Sequence, residues 1–341
     1  MQAVEYTEYG SPDVIRVKEV EKPAPLDDEV LVEVAAASVN AYDWHFLTAD
    51  VFLIRLMSGG LRKPKKTTLG ADIAGRVIAI GKNVTRFRPG DSVFGTAKGG
   101  TGGFAEFVCA PEKALELKPA NISFEEAAAV PIAALTALQG LRDKGCIKPG
   151  ASVLIHGASG GVGTFAIQIA KAFGARVTAV CSTANVEMAH SLGADHVIDY
   201  SRQDFTASSE RYDLILLANG NRSLFDYKRS LQPNGICVLA GGSVGSIGQI
   251  FGTMLLAWWI SKTGSKKIHS FLARIKQEDL AAMKELLESG QVRPVIDRRY
   301  PLKDAADALR YLGQGHARGK VVITVAPQSV RSQVENTLDH G

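Results

Sequence analysis

The chain is poor in residues that could build covalent or metal cross-links. Its 341 residues include four cysteines, Cys109, Cys146, Cys181 and Cys237, widely spaced and without a C-x-x-C pair. That spacing argues against a disulfide framework or a cysteine-built zinc lobe, and it points to a reducing, cytoplasmic setting. A dense block of one charge is also missing. The net charge is +4 with a pI of about 8.8, and Arg62-Lys63-Pro64-Lys65-Lys66 is the one local basic run. No aromatic residues interleave it, so a solvated loop is expected there and no nucleic-acid surface. The most apolar stretch, Ile247 to Ile260, contains Gly248, Gln249 and Gly252. It is too short to span a bilayer, and a buried helix or a substrate-side lid is the expectation for it. Neither a signal peptide ahead of the first strand nor an internal repeat is expected.

What is present suits a soluble globular protein. Hydrophobic residues make up 46% and charged residues 22%, and the length fits about two domains. Residues 1–124 read as mostly β. Val14 to Val20 and Glu29 to Val34 alternate, Asp72 to Gly81 forms a strand with a glycine kink, and Phe87-Arg88-Pro89-Gly90 turns into another strand. Many short strands punctuated by glycine and proline predict a compact barrel-like unit. From Ser123 the period changes. Ser123 and Glu126 form a capping-box pattern, Pro131 interrupts, and a second helix is expected over about 133–144. Strands at 176–181, 196–200, 212–217 and 235–240 then alternate with helices, which predicts a doubly wound parallel sheet. Gln277 to Ser289 is amphipathic, with Leu280, Met283, Leu286 and Leu287 on one face. The β character of 320–325 returns the chain to the first domain, and a polar tail follows Pro327. The fold class is therefore α/β, with 1–124 and 276–341 forming one discontinuous domain and 125–275 the other.

The stretch that organises this chain runs from Ala151 to Gly163. Val153-Leu154-Ile155 suits a buried parallel strand, Gly157, Gly160 and Gly161 permit a tight turn, and Gly163 opens a helical run to Ala172. These are the parts of a dinucleotide-binding βα unit, in which backbone approaches a pyrophosphate at a helix N-terminus. The strict G-x-G-x-x-G pattern has Ala158 at its first position. A glycine-rich turn of some other α/β protein is the competing reading. The expected pyrophosphate contacts are Ser159, Gly160, Gly161 and Val162. Asn219, Gly241 and Gly242 lie at or just past strand ends, where ligands of open α/β sheets bind, although plain turns would look the same. The second strand ends in Val180-Cys181-Ser182-Thr183-Ala184-Asn185, with no acid to take the ribose hydroxyls before Glu187. That end leaves room for a 2′-phosphate and favours NADPH.

Several stretches together resemble the medium-chain dehydrogenase/reductase superfamily, and within it the zinc-free quinone oxidoreductase branch. They are Ser38 to Trp44, Gly70 to Gly75, Phe87 to Gly95, Gly102 to Phe107, Leu135-Thr136-Ala137 and the glycine run. The resemblance covers nearly the whole chain. It implies a GroES-like catalytic domain, an inserted Rossmann domain, an active site in the cleft between them, and a homodimer. Zinc alcohol dehydrogenases of this superfamily hold catalytic zinc through Cys, His and Cys. The corresponding places here are Asn40, Ala71 and about Ile132, so no metal is expected. By resemblance Ser182, Asn185 and Tyr200 line the 2′-phosphate pocket, with Tyr200 equally readable as a core aromatic. His316-Ala317-Arg318-Gly319-Lys320 resembles a segment that reaches NADPH from the catalytic domain, so His316 and Arg318 are candidates, although the bare motif is an exposed polar turn.

Without a metal, the expected chemistry is hydride delivery to an acceptor that is already polarised, a quinone or an α,β-unsaturated carbonyl. Asn40 and Tyr42 are the candidate donors for the growing oxyanion. Tyr42 could instead be a core or cleft-wall aromatic. By family analogy Thr136 packs beside the nicotinamide. The other readings are an NADPH-binding regulatory or structural protein with little turnover, and an alcohol dehydrogenase-like enzyme.

Overall fold

The computed structural model describes residues 1–49, 55, 60–220, 222–240 and 247–325. In chain order its elements begin with β1 (Gln2–Tyr6), β2 (Ile15–Glu19), β3 (Glu29–Val39), α1 (Ala41–Thr48), β4 (Asp72–Ile80) and β5 (Ser92–Thr96). They continue with β6 (Phe107–Pro111), β7 (Leu115–Leu117), α2 (Phe124–Ala128), α3 (Pro131–Gln139), β8 (Ser152–His156), α4 (Gly161–Ala172) and β9 (Arg176–Cys181). Next come α5 (Val186–Ser191), β10 (His196–Asp199), β11 (Tyr212–Leu217), α6 (Leu224–Ser230), β12 (Leu231–Leu239) and α7 (Ile247–Thr263). The last are β13 (Lys267–Ser270), α8 (Gln277–Glu288), β14 (Ile296–Pro301), α9 (Ala305–Gly313) and β15 (Lys320–Thr324).

These elements fall into two compact units. One holds Met1–Ile132, Ile275–Glu288 and the chain from Ile296 onward; the other holds Ala133–Arg274 and Ser289–Val295.

In the first unit β3 is the spine. It pairs with β4 along its length, with β6 near its start and with β15 near its end, all antiparallel. The expected alternation shows in part: Val30, Val32, Val34 and Ala36 on one face are fully buried, while on the other face Leu31 is buried and Glu33 and Ala35 are half-buried. Helix α2 packs against β3 and β4. Helix α2 begins as expected: Glu126 N–H donates to Ser123 Oγ at 3.1 Å, and Ser123 N–H donates to Glu126 Oε2 at 2.7 Å. Pro131 interrupts by opening α3, a position where its missing N–H costs nothing. Two helices were not foreseen, α1 and α9. They cross where Gly313 makes room for Trp44, since a Cβ at 313 would come within 2.3 Å of the indole.

The second unit is a six-stranded parallel sheet in the order β10-β9-β8-β11-β12-β13. This is the doubly wound arrangement, with its crevice between β8 and β11, where the strand order reverses. The core of this unit includes Leu154, Val180, Ile215, Tyr227 and Ile260. His156 shares a 2.8 Å hydrogen bond with Tyr227 Oη inside it, and burial pulls the imidazole down to about 4, so it stays neutral.

Two segments fall outside the boundaries drawn from sequence. Residues 125–132 belong with the first unit because α2 packs on its strands. Ser289–Val295 belongs with the second: Gln168 donates through Nε2 to Arg293 O at 2.9 Å, and its Oε1 accepts Arg293 N–H at 2.8 Å. Val292 is fully buried beside this clasp.

No helix among the described residues is long and apolar enough to cross a membrane. Helix α7 forms over the apolar stretch, but the expected buried helix is only half right. Ala257 and Ile260 are buried while Leu255, Trp258 and Trp259 stand exposed, because only one face of the helix packs on the sheet.

The Gln168 clasp is testable. Replacing Gln168 with Leu strands a backbone donor and an acceptor, and urea unfolding should show a loss of about 2–4 kcal/mol. A loss below half a kcal/mol, on the order of one weak surface contact, would show that Ser289–Val295 is held by other means.

Candidate cofactor and active-site residues

Strand β8 delivers the chain to Gly157, which has φ +81° and would place a Cβ 2.6 Å from the backbone N and O of Asn219. Only glycine fits there. Gly163 is equally constrained, since a Cβ would sit 2.2 Å from Gly157 O; its absence lets α4 close down on the turn. The alanine at 158 is therefore no defect. The turn, the open approach and the tight helix packing fall to Gly157, Gly160 and Gly163, and Ala158 is simply buried. Between these anchors Ser159, Gly160, Gly161 and Val162 are all half-exposed, and the space beside Gly160 is open to 3.7 Å. No side chain caps α4 at Gly160, so its first N–H groups face outward unpaired by a cap. Asn219 lies at the end of β11 against this turn, its N–H 3.2 Å from His156 O. Gly241 and Gly242 lie outside the described residues.

At the end of β9, Ser182 leads into a short turn and Asn185 is buried. One end of the Asn185 amide donates to Ser182 Oγ at 3.0 Å, and the other end, Oδ1, is buried without a hydrogen-bond partner. An orphaned acceptor of this kind is costly unless a ligand hydroxyl or ammonium fills it. Tyr200 is 56% exposed, which removes its reading as a core aromatic. Sequence reasoning missed Thr183, Asp199 and Arg202. Asp199 comes from the neighbouring strand β10, and it accepts hydrogen bonds from Thr183 Oγ1 at 2.5 Å and Ser201 Oγ at 2.7 Å. These bonds, Thr183 first, hold its carboxyl below the usual range. Arg202 lies 3.4 Å from it and is largely exposed. The only signal for this group was an Asp-Tyr-Ser-Arg run just past a strand.

In the first unit a polar knot surrounds Asn40. Asp72 stands opposite Ser38 in the β3–β4 pairing, and Val321 opposite Val39 in the β3–β15 pairing. Strand register therefore brings Lys320 and Asp72 to the two sides of Asn40. Lys320 Nζ donates to Asn40 Oδ1 at 2.5 Å and lies 3.6 Å from Asp72 Oδ2. Asn40 Nδ2 donates to Asp72 Oδ2 at 3.0 Å and to Ser38 O at 3.3 Å. Asp72 also accepts Ser38 Oγ at 3.0 Å and Ile132 N–H at 3.1 Å. Asp43, in the first turn of α1, accepts Asn40 N–H at 2.8 Å and Gly70 N–H at 2.9 Å. Burial pushes Asp43 up to about 7, against the pull of those two N–H groups. It pushes Asp72 up and Lys320 down, each opposed by the attraction of the other.

Tyr42 lies in the same first turn of α1, its ring 4.4 Å from that of Phe46. Burial raises its phenol to about 12, and no described residue takes a hydrogen bond from it. Asn40 and Tyr42 thus sit together, whereas Thr136 is a buried residue of α3 in the other unit. His316 and Arg318 are exposed residues of the first unit, and Arg318 N–H donates to Asp297 at 2.9 Å. Among the described residues no three His, Cys, Asp or Glu side chains gather where they could hold a metal ion.

Residues 26–120 match the model of the alcohol dehydrogenase GroES-like domain, and residues 192–323 that of the zinc-binding dehydrogenase family. Across 96% of its length the chain is 35% identical to 2-methylene-furan-3-one reductase of Solanum lycopersicum, covering 80% of that protein. The chain belongs to the medium-chain dehydrogenase/reductase superfamily. Its GroES-like and Rossmann domains are those the resemblance implied. A quinone oxidoreductase from Coxiella burnetii superposes with a TM-score of 0.84 at 30% identity, over 96% of this chain and 99% of that one. The Escherichia coli quinone oxidoreductase complexed with NADPH gives 0.78 at 25% identity, over 95% and 100%. This medium-chain protein is accordingly an oxidoreductase whose relatives act on small molecules.

The knot gives a direct test within the medium-chain fold. Lys320→Met leaves Asp72 buried without its counter-ion and should cost about 3–5 kcal/mol at pH 8. Removing both charges in Lys320→Met/Asp72→Asn should recover more than half of that. In the single variant the folded-state pKa of Asp72 rises further, so the penalty falls due once the unfolded carboxylate ionises. The loss should therefore shrink as pH falls toward about 4. Denaturant unfolding at several pH values measures it, and equal losses in single and double variants would refute the pairing.

Proposed function

We propose that the protein is an NADPH-dependent reductase that passes hydride to a quinone or an α,β-unsaturated carbonyl without zinc. The observation that carries this reading is the ammonium of Lys320 bound to Asn40 Oδ1. Asn40 occupies the place of the first zinc ligand in the metal-dependent branch, and its one acceptor atom already faces a cation. Ala71 and Ile132 offer no side-chain donor at the other two places. The residues do not fit a zinc ion, so the acceptor has to be electron-poor on its own account.

The nicotinamide cofactor fits the second unit. The uncapped start of α4 and the open side of Gly160 suit a pyrophosphate, with Ser159, Gly161 and Val162 around it. The free Oδ1 of Asn185 suits a ribose hydroxyl. The end of β9 carries no acid, and the acid β10 brings there is spent on Thr183 and Ser201. Ser182, Tyr200 and the exposed Arg202 leave that edge suited to a phosphate, which supports NADPH over NADH. Asn219 borders the crevice, and His316 and Arg318 remain candidates for the same phosphate. When bound, the reduced cofactor supplies the hydride.

For catalysis the two candidate donors separate. Both amide hydrogens of Asn40 are engaged, so Asn40 positions the first turn of α1. The Tyr42 hydroxyl is the group left to donate to the acceptor oxygen as negative charge grows on it. A pKa held near 12 keeps the phenol protonated at neutral pH. Thr136 is assigned to packing beside the nicotinamide. The four cysteines are free thiols, three of them buried, which suits the cytoplasmic setting, and a homodimer is the proposed assembly.

Three measurements test this reading. NADPH oxidation followed by absorbance against a panel of quinones and enones should show turnover; tight NADPH binding with no turnover on any of them would make the protein a cofactor-binding one. Gly161→Asp sets a carboxylate against the pyrophosphate, and NADPH titration should show affinity falling at least ~100-fold. Unchanged affinity would remove the glycine turn from the site. Tyr42→Phe should lower kcat about 100-fold with little change in KM, and a kcat within twofold of the parent, on the order of experimental scatter, would take Tyr42 out of the reaction.

A further inference from the structure

Two stretches of the first unit run side by side and are zipped together. Gly102 N–H donates to Leu69 O at 3.0 Å and Gly103 N–H to Gly70 O at 2.7 Å, and Thr101 Oγ1 donates to Thr68 O at 2.8 Å. Gly70 N–H is in turn held by Asp43 at 2.9 Å, which fastens the pair to the first turn of α1, the turn that carries Tyr42. Where the zipped pair begins, Lys66 Nζ donates to Gly99 O at 3.3 Å. The next residue, Gly100, is the one that meets the phenol, since a Cβ there would lie 3.1 Å from Tyr42 Oη. Gly99 and Gly100 have φ +64° and +71°, a turn that other residues rarely adopt. Two residues without side chains thus separate the phenol from the ammonium. With successive Cα atoms 3.8 Å apart, these contacts keep Tyr42 Oη and Lys66 Nζ within about 14 Å of each other.

The charge of Lys66 is unanswered. Lys98, in the same turn, gives its ammonium to Glu29 at 2.5 Å. Lys66 is exposed and has a backbone carbonyl but no ion pair among the described residues. Arg62, Lys63 and Lys65 are exposed as well, and among the described residues none of them meets a carboxylate. Buried Pro64 and the 2.9 Å bond from Tyr6 N–H to Thr67 O anchor the chain on either side of Lys65 and Lys66. This basic run is solvated, as its composition predicts, yet it is pinned within reach of the Tyr42 hydroxyl.

We propose that Lys66 determines specificity: the acceptor bears a carboxylate besides its quinone or enone carbonyl, and Lys66 pairs with that carboxylate while Tyr42 donates to the carbonyl oxygen. The assignment rests on Tyr42 as the donor in the reaction proposed above. An uncharged acceptor gains nothing from an ammonium at that distance, whereas a carboxylate on a short chain reaches it along the glycine strip. Arg62, Lys63 and Lys65 add a positive field that gathers anions at the same place. The ammonium is remote from the carbon that takes hydride, so it holds the ground state and the transition state alike and acts through KM.

Rates with a vinyl ketone that ends in a carboxylate a short methylene chain away, and with its methyl ester, test this at saturating NADPH. The parent protein should prefer the acid about fivefold in kcat/KM, the upper end for one exposed ion pair. High salt should shrink the ratio. Lys66→Met should bring it to about one through the KM of the acid, Lys66→Arg should retain it, and Lys66→Glu should turn it below one. A ratio of about one in the parent, on the order of experimental scatter, or a ratio that Lys66→Met leaves unchanged, would overturn the proposal. Calorimetric titration with the saturated keto acid and its ester makes the same comparison without turnover. No turnover of any acceptor would therefore sink the reductase reading, while equal affinity for keto acid and ester would sink the assignment of Lys66.

Discussion

A buried ammonium holds the first unit in register. Lys320 and Asn40 lie 280 residues apart, and their contact exists only because β15 returns to lie against the end of β3. Lys320 and Asp72 are 3% and 0% exposed in their side chains. Taking two such charges out of water costs several kcal/mol per ion. The knot repays the cost with many bonds: Asp72 accepts from Ser38, Asn40 and the Ile132 backbone, and Lys320 has Asn40 Oδ1 before it. Apolar side chains in place of the pair would take away the bonds that hold Asn40 between Asp72 and Lys320, so the charge pair contributes definition of the site as well as stability.

The same economy governs the second unit, where the critical feature is missing atoms. Gly157 and Gly163 let the end of β8, the end of β11 and the start of α4 approach one another more closely than any side chain allows. What stays open is the rim from Ser159 to Val162 and the space beside Gly160. Asn185 adds a specific demand, since a buried acceptor with no partner favours whatever brings it a hydrogen. Two kinds of under-filling, one of volume and one of hydrogen bonding, converge on the carboxyl ends of β8 and β9.

Much of this was legible in the residues. Glycine spacing and the βα alternation identify the parallel sheet and its ligand edge, because local conformational demand and hydrophobic period are properties of short windows. The capping box at Ser123 is legible for the same reason. Helix α1 was not, because Ala41 to Thr48 mixes apolar and polar residues with no helical stripe and is fixed by Asp43 reaching Asn40 and Gly70. In the sequence Lys320 is the end of a polar run entering a β stretch, and only the pairing of distant strands shows it to be buried. The apolar composition of 247–260 suggested a buried helix because composition has no direction. The direction comes from Ser261 and Ile260, which fix the face of α7 that turns inward.

The two candidate donors in the first unit illustrate how structure divides roles that sequence leaves joined. Asn40 and Tyr42 are two residues apart, and by residue type either could steady an oxyanion. The Asn40 amide gives its hydrogens to Asp72 and Ser38 and takes one from Lys320, so it has no donor left without breaking a buried network. Tyr42 has its ring packed on Phe46 and beside Gly100, whose missing side chain leaves room at the phenol, since a Cβ there would lie 3.1 Å from Tyr42 Oη. A donor is most useful when its orientation is fixed by contacts that do not consume its hydrogen. Tyr42 meets that condition and Asn40 does not, which is why the proposed mechanism gives the donor's part to Tyr42, with the buried charges around Asn40 fixing the helical turn from which it projects.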